Sequence, residues 1–455
     1  MNVCRDRPPS IGQQLCQTSK QPSIKLAKSS FFQPFNHIFR PMLGNRRTFV
    51  IACVLFLQLL WGMSWWTPPA LANTQGRELF SQAWRVVSQA YLDDTFNGQD
   101  WWSVRQKALR QPMETSEDAY EAIEQMLASL DDPFTRFLRP QQYRGLQMNT
   151  SGELTGVGLQ IAIDDDTHRL RVVSPIEGSP AAEAGVQALD YIVEIDGTPT
   201  DDLSLEEAAK RMRGQPGTQV TLKIQHPDSD RVESLDIIRD RIALNPVRWS
   251  LRSIDDSTQI GYIRLSQFNG NATTEVANAI ENLEAKGADA YILDLRNNPG
   301  GLLQAGIEVA RLWLDGGTVV YTVNRQGQFG SFDAGEQAMT DAPLAVLVNQ
   351  GSASASEILA GALQDNQRAQ VVGEPTFGKG LIQSLFQLSD GSGLAVTVAK
   401  YETPNHRDIN ESGIQPDVMV PLDIQSVRDI ATEADAQYQQ ALKLLAPEAV
   451  MAKAS

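Results

Sequence analysis

From Pro246 onward, the sequence alternates between short apolar strands and amphipathic helices. The predicted strands cover 260–265, 290–295, 318–323, 344–348 and 394–401, and the predicted helices cover 273–286, 302–314 and 354–363. Such alternation favours a layered α/β core, because each helix carries the chain back to the start of the next strand. A last helix is predicted over 431–445. We expect it to return to the helical segment that lies before residue 130.

Two other patterns precede this core. Residues 77–130 predict helices, since apolar residues recur there at helical spacing, and we expect this small domain to pack on a later one. From Gly152 the pattern changes to short strands and tight turns. The predicted strands cover 157–163, 169–173, 191–195, 219–225 and 234–238, with helices over 180–185 and 205–213. These elements indicate one compact module of about 90 residues.

Residues 1–72 have the character of an export leader. They hold eight basic residues, one acid and all three cysteines of the chain. The apolar run 49–66 has 18 residues and precedes Ala70-Leu71-Ala72, so we predict cleavage after Ala72. Arg46 and Arg47 also resemble a twin-arginine signal. The alternative is a retained membrane anchor, because a run of 18 apolar residues just reaches across a bilayer.

The remaining composition excludes several kinds of partner and site. Beyond residue 72 the chain keeps 31 of its 39 basic and 54 of its 55 acidic residues, a formal charge of −23. That charge repels phosphate backbones, so nucleic acid is not expected as a partner. No cysteine remains there to serve as a thiol nucleophile, and His168, His226 and His406 lack metal-ligand spacing. We therefore expect neither a metal nor another cofactor.

A run of small residues, Gly-Ser-Ala-Ser-Ala-Ser-Glu at 351–357, lies where a buried strand passes into a helix. A helix N-terminus offers free amide donors and partial positive charge. Ser354 is therefore a candidate nucleophile, with the amide of Ala355 beside the oxyanion that its attack on a carbonyl would form. Gly300, in a Pro-Gly-Gly turn after another strand, is a candidate second donor. Alternatively, the serines of this run only cap the helix.

Lys379 lies 25 residues beyond Ser354 and is the candidate base. A lysine base needs a lowered pKa, which burial can provide, and Phe377, Leu381 and Ile382 are apolar neighbours in sequence. If 379–388 is extended, Gln383 shares a face with Lys379 and can orient its amine. The alternative is a solvated lysine in a glycine turn.

Three similar motifs do not fit. Gly373 and Gly378-Lys379 imitate a phosphate-binding loop, but Gly380 replaces the Ser/Thr that would bind magnesium. A Ser-x-x-Lys motif fails because Glu357 stands in place of the lysine, and a Gly-x-Ser-x-Gly elbow fails because serines replace both glycines.

Four separated motifs resemble those of the carboxyl-terminal-processing (tail-specific) peptidases. They are 351–357, Gly-Glu-Pro-Thr-Phe-Gly-Lys-Gly at 373–380, Leu-Arg-Asn-Asn-Pro-Gly-Gly at 295–301 and Asp-Pro-Phe-Thr-Arg at 132–136. The similarity extends over 77–421. It implies a Ser-Lys dyad at Ser354 and Lys379, an assisting Gln383, and oxyanion donors at Gly300 and Ala355. It further implies a multidomain α/β protein with these parts: a leader (1–72), a helical domain (73–139), a PDZ domain (140–242), a crotonase-like α/β protease core (243–425) and a C-terminal helix with tail (426–455).

The PDZ domain is implied by the resemblance alone. Thr-Gly-Val-Gly-Leu at 155–159 is similar to the loop whose successive amides hold a free C-terminus, and an added peptide strand would pair with 159–163. The residues expected to contact the tail are Gly156, Val157, Gly158, Leu159, Ile161, Leu205, Ala209, Met212 and Arg213, the last as a sensor of bound peptide. Taken by itself, 155–159 is also typical of an ordinary glycine-containing hairpin.

Export and this domain order resemble the branch of the family found in cyanobacteria and plastids. That branch trims the C-terminal extension of the photosystem II reaction-centre precursor in the thylakoid lumen. The resemblance thus implies a protein substrate with a free C-terminal tail, including membrane-associated ones, met in the thylakoid lumen or periplasm. Two other functions stay open: a non-catalytic PDZ scaffold, and a crotonase-like acyl-thioester enzyme, whose fold also places glycine amides around an oxyanion.

Overall fold

The structure is a computed structural model, and it describes residues 72–164, 167–227, 231–254, 258–327, 329–336, 338–421 and 429–454. The predicted leader therefore lies outside the described residues, apart from Ala72. Within the described part of the chain, none of the helices has both the length and the apolar character that a membrane span requires.

The first described segment is helical, as predicted, but contains three helices. They are α1 (Ala72–Ala90), α2 (Trp101–Ala108) and α3 (Ser116–Ala128). Thr115 begins α3, since its side chain accepts from the amide of Asp118, and Asp100 caps α2 in the same way. The apolar faces of these helices bury residues such as Phe80 and Ile123 together with Leu394 and Val396 of the later core. The prediction that this domain packs on a later one is confirmed.

A compact module with an antiparallel sheet follows. It is preceded by β1 (Arg136–Leu138), and its elements are α4 (Pro140–Ser151), β2 (Glu153–Gly156), β3 (Leu159–Ile163), β4 (Leu170–Pro175), α5 (Pro180–Glu183), β5 (Tyr191–Ile195), β6 (Thr198–Pro199), α6 (Leu205–Met212), β7 (Gln219–Gln225), β8 (Val232–Ile238) and β9 (Asp240–Ala243). The strand order is β3-β4-β5-β7-β8, with β6 on β5, whereas β1 belongs to a different sheet. Strands β2 and β9 pair with each other as the ribbon through which the chain enters and leaves the module.

The remaining described residues form the layers of the α/β core. The elements are β10 (Val247–Ser253), β11 (Gln259–Leu265), α7 (Ala272–Ala285), β12 (Ala290–Asp294), α8 (Leu303–Arg311), β13 (Thr318–Asn324), β14 (Phe329–Asp333), β15 (Leu344–Val348), α9 (Ala355–Asp365), β16 (Gln370–Gly373), β17 (Leu381–Gln387), β18 (Gly393–Glu402), β19 (Val418–Met419) and α10 (Ala436–Ala454). The first sheet has the order β10-β11-β12-β15-β16-β19 and is parallel except for β10. Every residue of β12 and β15 is buried.

The parallel sheet sets the position of the site. Helices α7, α8 and α9 cover one of its faces. Because parallel strands end at the same edge, the turns after β12, β15 and β16 lie side by side. These turns contain the three motifs that the sequence singled out for chemistry.

The prediction for the last helix was wrong in its packing. In α10, Tyr438, Ala441 and Leu445 pack against Ile292 and Leu347 on the second face of the parallel sheet, not against the helical domain. A sheet buried on both faces needs a cover on each side, and α10 supplies the second one.

A second, antiparallel sheet brings the helical domain to the core. Its order is β1-β18-β13-β14, with β17 also pairing with β18. In β1, Arg136 pairs with Ala395 of β18, and β18 also pairs with β17, the strand that follows Lys379. The sequence did not predict β1, β10, β14 or the β2–β9 ribbon.

Candidate active site

Ser354 lies at the turn between β15 and α9 in a strained backbone conformation. Its φ is 56° and its ψ is −113°, a combination that a residue with a Cβ rarely adopts and that costs about 1–3 kcal/mol. In nucleophile elbows, a serine on such a strained strand-to-helix turn exposes its hydroxyl at the edge of the sheet. The elbow conformation is therefore present even though its glycine motif is not.

The two flanking serines fix this turn. Ser352 donates its hydroxyl to the carbonyl of Leu295 at 2.8 Å, and Ser356 donates to the carbonyl of Asn298 at 2.9 Å. Both serines are fully buried. They therefore tie the turn of Ser354 to the 295–301 turn, a structural role different from the helix capping considered from the sequence.

The two candidate oxyanion donors are adjacent. A Cβ built on Gly300 would lie 2.9 Å from the amide nitrogen of Ala355 and 2.9 Å from Cβ of Ser354, so only glycine fits at this position. The amide of Gly300 itself donates to Oδ1 of Asn298 at 2.9 Å. Gly300 can therefore act as an oxyanion donor only when this hydrogen bond is shared or exchanged.

Glu357 connects the candidate nucleophile Ser354 and the candidate base Lys379. Its carboxylate is fully buried and accepts from the amides of Ser354 at 2.7 Å and Lys379 at 2.9 Å on the same oxygen, Oε2. Its other oxygen accepts from the amide of Gly378 at 2.7 Å and the hydroxyl of Thr376 at 2.6 Å. The sequence analysis used Glu357 only to exclude a motif. The available signal was a glutamate three residues after a helix-capping serine, the capping-box pattern.

Lys379 is half-buried, and its pKa is lowered from the usual lysine value. Burial is the largest cause and the charge of Arg136 is the second, while Asp132 and Glu357 act in the opposite direction. The apolar contact to its amine comes from Phe134, whose ring centroid lies 4.8 Å from Nζ. Phe377, which the sequence suggested, is 58 % exposed.

Gln383 lies on β17, but not for the reason predicted. The strand begins only at Leu381, and its pairing with β18 has an irregularity between Ile382 and Gln383, so regular alternation does not extend back to Lys379. The side-chain amide of Gln383 lies 3.5 Å from Oγ1 of Thr397, at the long end of hydrogen bonding.

A buried ion-pair network fixes Arg296, which belongs to the 295–301 turn. Arg296 donates to both oxygens of Asp294 and to both oxygens of Asp435, at distances of 2.6–2.9 Å. These carboxylates raise the pKa of the Arg296 guanidinium further, and the pKa of Asp435 is lowered by its bonds to Arg296 in spite of burial. No sequence pattern indicated Asp435, since it lies 139 residues from Arg296 along the chain.

The predicted tail-binding residues lie on β3, on the segment just before it and on α6 with the residue that follows. Strand β3, with the half-buried Leu159 and Ile161, is an edge strand of its sheet and contacts α6. Gly156 (φ 153°) and Gly158 (φ 83°) flank the buried Val157 at its start. At the two ends of α6, Leu205 is 41 % exposed and Met212 is 4 % exposed, within the module's own core. Arg213 follows α6 and its backbone pairs with Gly156.

The comparisons with known proteins agree with this architecture. The profile of peptidase family S41 matches residues 259–420, and that of a PDZ domain matches residues 171–226. The chain is 58% identical to the carboxyl-terminal-processing protease of Picosynechococcus sp. over 386 residues, which is 85% of this chain and 93% of the relative. This chain belongs to peptidase family S41.

Two further matches support the same family. The carboxyl-terminal-processing protease of Synechocystis sp. is 59% identical over 379 residues, covering 83% of this chain and 89% of the relative. A solved structure of a photosystem II D1 C-terminal processing protease is 42% identical with a TM-score of 0.51, and the match covers 76% of this chain and 93% of that one. The chain is thus a carboxyl-terminal-processing serine peptidase with a PDZ domain, and the multidomain α/β prediction is confirmed.

Proposed function

We propose that this S41 peptidase cuts the C-terminal extension from an exported protein, with Ser354 as nucleophile and Lys379 as base. The observation that carries the proposal is that one buried carboxylate oxygen of Glu357 accepts hydrogen bonds from the backbone amides of both Ser354 and Lys379. Parts of the chain that are 25 residues apart are thereby held at one point.

The reaction follows from the chemistry of these groups. The neutral amine of Lys379 takes the proton of the Ser354 hydroxyl while Oγ adds to the scissile carbonyl carbon, whose π electrons move to oxygen. When the tetrahedral intermediate collapses, the C–N bond breaks and the ammonium returns its proton to the leaving amine. Water then repeats the sequence on the acyl-serine ester, which releases the shortened protein. Gln383 would assist by orienting the amine.

The oxyanion would be stabilised by the amides of Ala355 and Gly300. Ala355 begins α9, so its amide lies at the positive end of the helix. Gly300 would turn its amide from Asn298 to the oxyanion as negative charge develops. One such donor contributes on the order of 3 kcal/mol to lowering the barrier.

The PDZ domain would capture the free C-terminus of the substrate. Edge strand β3 can accept a peptide strand, and the amides of 156–159 can hold the terminal carboxylate. Leu159, Ile161, Leu205 and Met212 would form the side-chain pocket, and Arg213 would respond to the bound tail because its backbone pairs with Gly156.

The substrate we propose is the precursor of the photosystem II D1 protein, in the thylakoid lumen or periplasm. The support is the likeness to a photosystem II D1 C-terminal processing protease and to the two carboxyl-terminal-processing proteases from Picosynechococcus sp. and Synechocystis sp.. The predicted export leader agrees with such a compartment, in which a membrane-associated substrate exposes its tail.

The test uses the purified protein and its Ser354→Ala variant with tailed precursor peptides, and the product masses are read by mass spectrometry. We expect one new C-terminus with the unchanged protein and none with Ser354→Ala or Lys379→Arg, while both variants keep the fold and bind the tail. Turnover retained by Ser354→Ala would exclude Ser354 as the nucleophile.

A further inference from the structure

The motif at 132–136 is the one sequence motif that the proposed function does not use. It follows α3 of the helical domain and ends at Arg136, the first residue of β1. Its backbone is fixed locally, since Oδ1 of Asp132 accepts from the amide of Phe134 at 2.9 Å and Oδ2 accepts from the hydroxyl of Thr135 at 2.7 Å. Asp131, just before it, has a positive φ of 51°. The conformation of Phe134 is therefore set by the turn.

The same turn is anchored on the strand beside the lysine segment. The buried hydroxyl of Thr135 accepts from the amide of Thr397 in β18 at 3.0 Å. Thr397 in turn lies opposite Gln383 of β17. The 132–136 turn is thus linked to β18 by the Thr135–Thr397 hydrogen bond and, through the pairing of β18 with β17, to the strand after Lys379. Its position therefore depends on the core as well as on the helices.

Phe134 uses this position to contact the reacting amine. Its ring centroid lies 4.8 Å from Nζ of Lys379, within the range of a cation–π contact. The ring also lines a cavity of ≈ 610 Å³, together with Gly378 and Leu381 on either side of the lysine. A smaller side chain at this position would therefore let water reach the amine.

We propose that Phe134 is a positioning residue for the Lys379 base, and that the helical domain thereby forms part of the active site. The proposal rests on the proposed roles of Ser354 and Lys379. The aromatic ring has two separable effects. Its apolar body keeps water from the amine and favours the neutral form, which is the base. Its π face attracts the ammonium, which is the form that develops as the serine gives up its proton.

Other charges near the amine come from several elements. Arg136 on β1 opposes the ammonium, while Asp132 of the turn and Glu357 of α9 favour it. Asp93, Asp131 and Glu411 line the neighbouring cavity. The variants below leave all these groups unchanged, so a difference between them reports the ring alone.

The test compares three substitutions at Phe134 with one matched control. Phe134→Leu keeps an apolar side chain but removes the π face, Phe134→Ala opens the amine to water, and Phe134→Tyr keeps the ring. The control is Trp249→Leu, since Trp249 makes the same kind of contact with Lys286 at 4.6 Å on the surface of β10. Two readouts are taken across pH: kcat/KM on a tailed peptide, and the rate at which trace acetic anhydride acetylates Lys379, followed by peptide mass spectrometry.

We expect the pH titrations of kcat/KM and of Lys379 acetylation to shift in opposite directions in Phe134→Leu and Phe134→Ala. Phe134→Leu should move both titrations to lower pH and reduce the plateau rate by about 5- to 30-fold, because the ammonium formed in the transition state loses its π contact. Phe134→Ala should move both titrations to higher pH, because burial is the largest cause of the lowered pKa of Lys379. Phe134→Tyr and Trp249→Leu should retain the unchanged protein's profiles.

Titrations that shift in the same direction in Phe134→Leu and Phe134→Ala, or that do not shift, would overturn the proposal, because a purely structural role predicts no opposition. The acetylation readout requires no substrate. Opposite acetylation shifts in a protein that cuts no tailed peptide would support the contact and reject the proposed function. Normal cleavage with unshifted titrations would reject the contact alone.

Discussion

The turns of the candidate active site and the proposed peptide groove between β3 and α6 of the PDZ domain are held in different ways. Around Ser354 the backbone is fixed by buried polar side chains, with Glu357 fully buried and Arg296 only 2 % exposed. The groove instead consists of an exposed strand edge and side chains such as Leu205, on a module joined to the core through the β2–β9 ribbon. Changes at the buried network should therefore alter the rate of the chemical step, whereas changes at the groove should alter binding of the tail.

The largest effect is expected for Glu357→Gln. A glutamine offers one acceptor oxygen where the carboxylate accepts four hydrogen bonds, and its amide group would face donors. We expect kcat to fall at least about 100-fold, because the loss of even one buried charge-assisted hydrogen bond has an effect of about this size. The affinity for the tail should not change. Steady-state kinetics and tail binding measure the two quantities. The control is Glu308→Gln, at a partly exposed ion pair with Arg311. An equal loss of kcat there would contradict the special role of the buried carboxylate.

The second effect concerns stability. Asp435→Asn leaves the buried Arg296 with one carboxylate fewer, and we expect the unfolding free energy of the core to fall by about 3–5 kcal/mol. Because the pKa of Asp435 is lowered in the folded protein, its contribution is present above its unfolded pKa and is lost as pH falls through the folded value. Urea unfolding at neutral pH measures it. The exposed pair of Asp408 with Lys400 provides the control Asp408→Asn, for which about 0–1 kcal/mol is expected.

A site feature could be predicted from the sequence where the residues that form it are neighbours along the chain. The turn of Ser354 and its neighbour Ala355 could be identified because strand, small residues and helix are contiguous. Glu357 was missed in its role, since three of its four donors lie on the 376–379 segment and only folding brings them together.

Longer-range features were less predictable. The helix α10 was predicted with the wrong packing partner, because an apolar stripe does not show which sheet face it will cover. The alternation between Lys379 and Gln383 was also wrong, since an irregularity in the pairing of β17 leaves no mark in the residue pattern. Phe134 could be found only as part of a motif, without its contact to Lys379.

A third, smaller effect is expected in the pH profile. If Lys379 acts as a neutral base, activity rises with pH through its lowered pKa. The charge of Arg136 helps to lower that pKa, so Arg136→Gln should move the acid limb of kcat/KM to higher pH, and Arg136→Lys should restore it. The control Arg139→Gln removes a nearby surface charge paired with Glu117. An unchanged acid limb in Arg136→Gln would argue against an electrostatic role of this residue.

The smallest effect is expected at the groove. Leu205→Ala should weaken tail binding by a few fold, on the order of 1 kcal/mol for partial loss of an exposed apolar side chain, and raise KM with kcat unchanged. Leu189→Ala, at an exposed leucine of the same domain outside α6, serves as the control. Amidating the substrate's C-terminus should raise KM as well. Equal KM values for free and amidated tails would contradict carboxylate recognition by the 156–159 loop.

The most direct measurement is the site and pH dependence of covalent labelling by a fluorophosphonate, read by peptide mass spectrometry. The account predicts one adduct on Ser354, formed faster as pH rises through the lowered pKa of Lys379, and almost none in Lys379→Met. An adduct on another residue, or equal labelling of Ser354 in Lys379→Met, would contradict it.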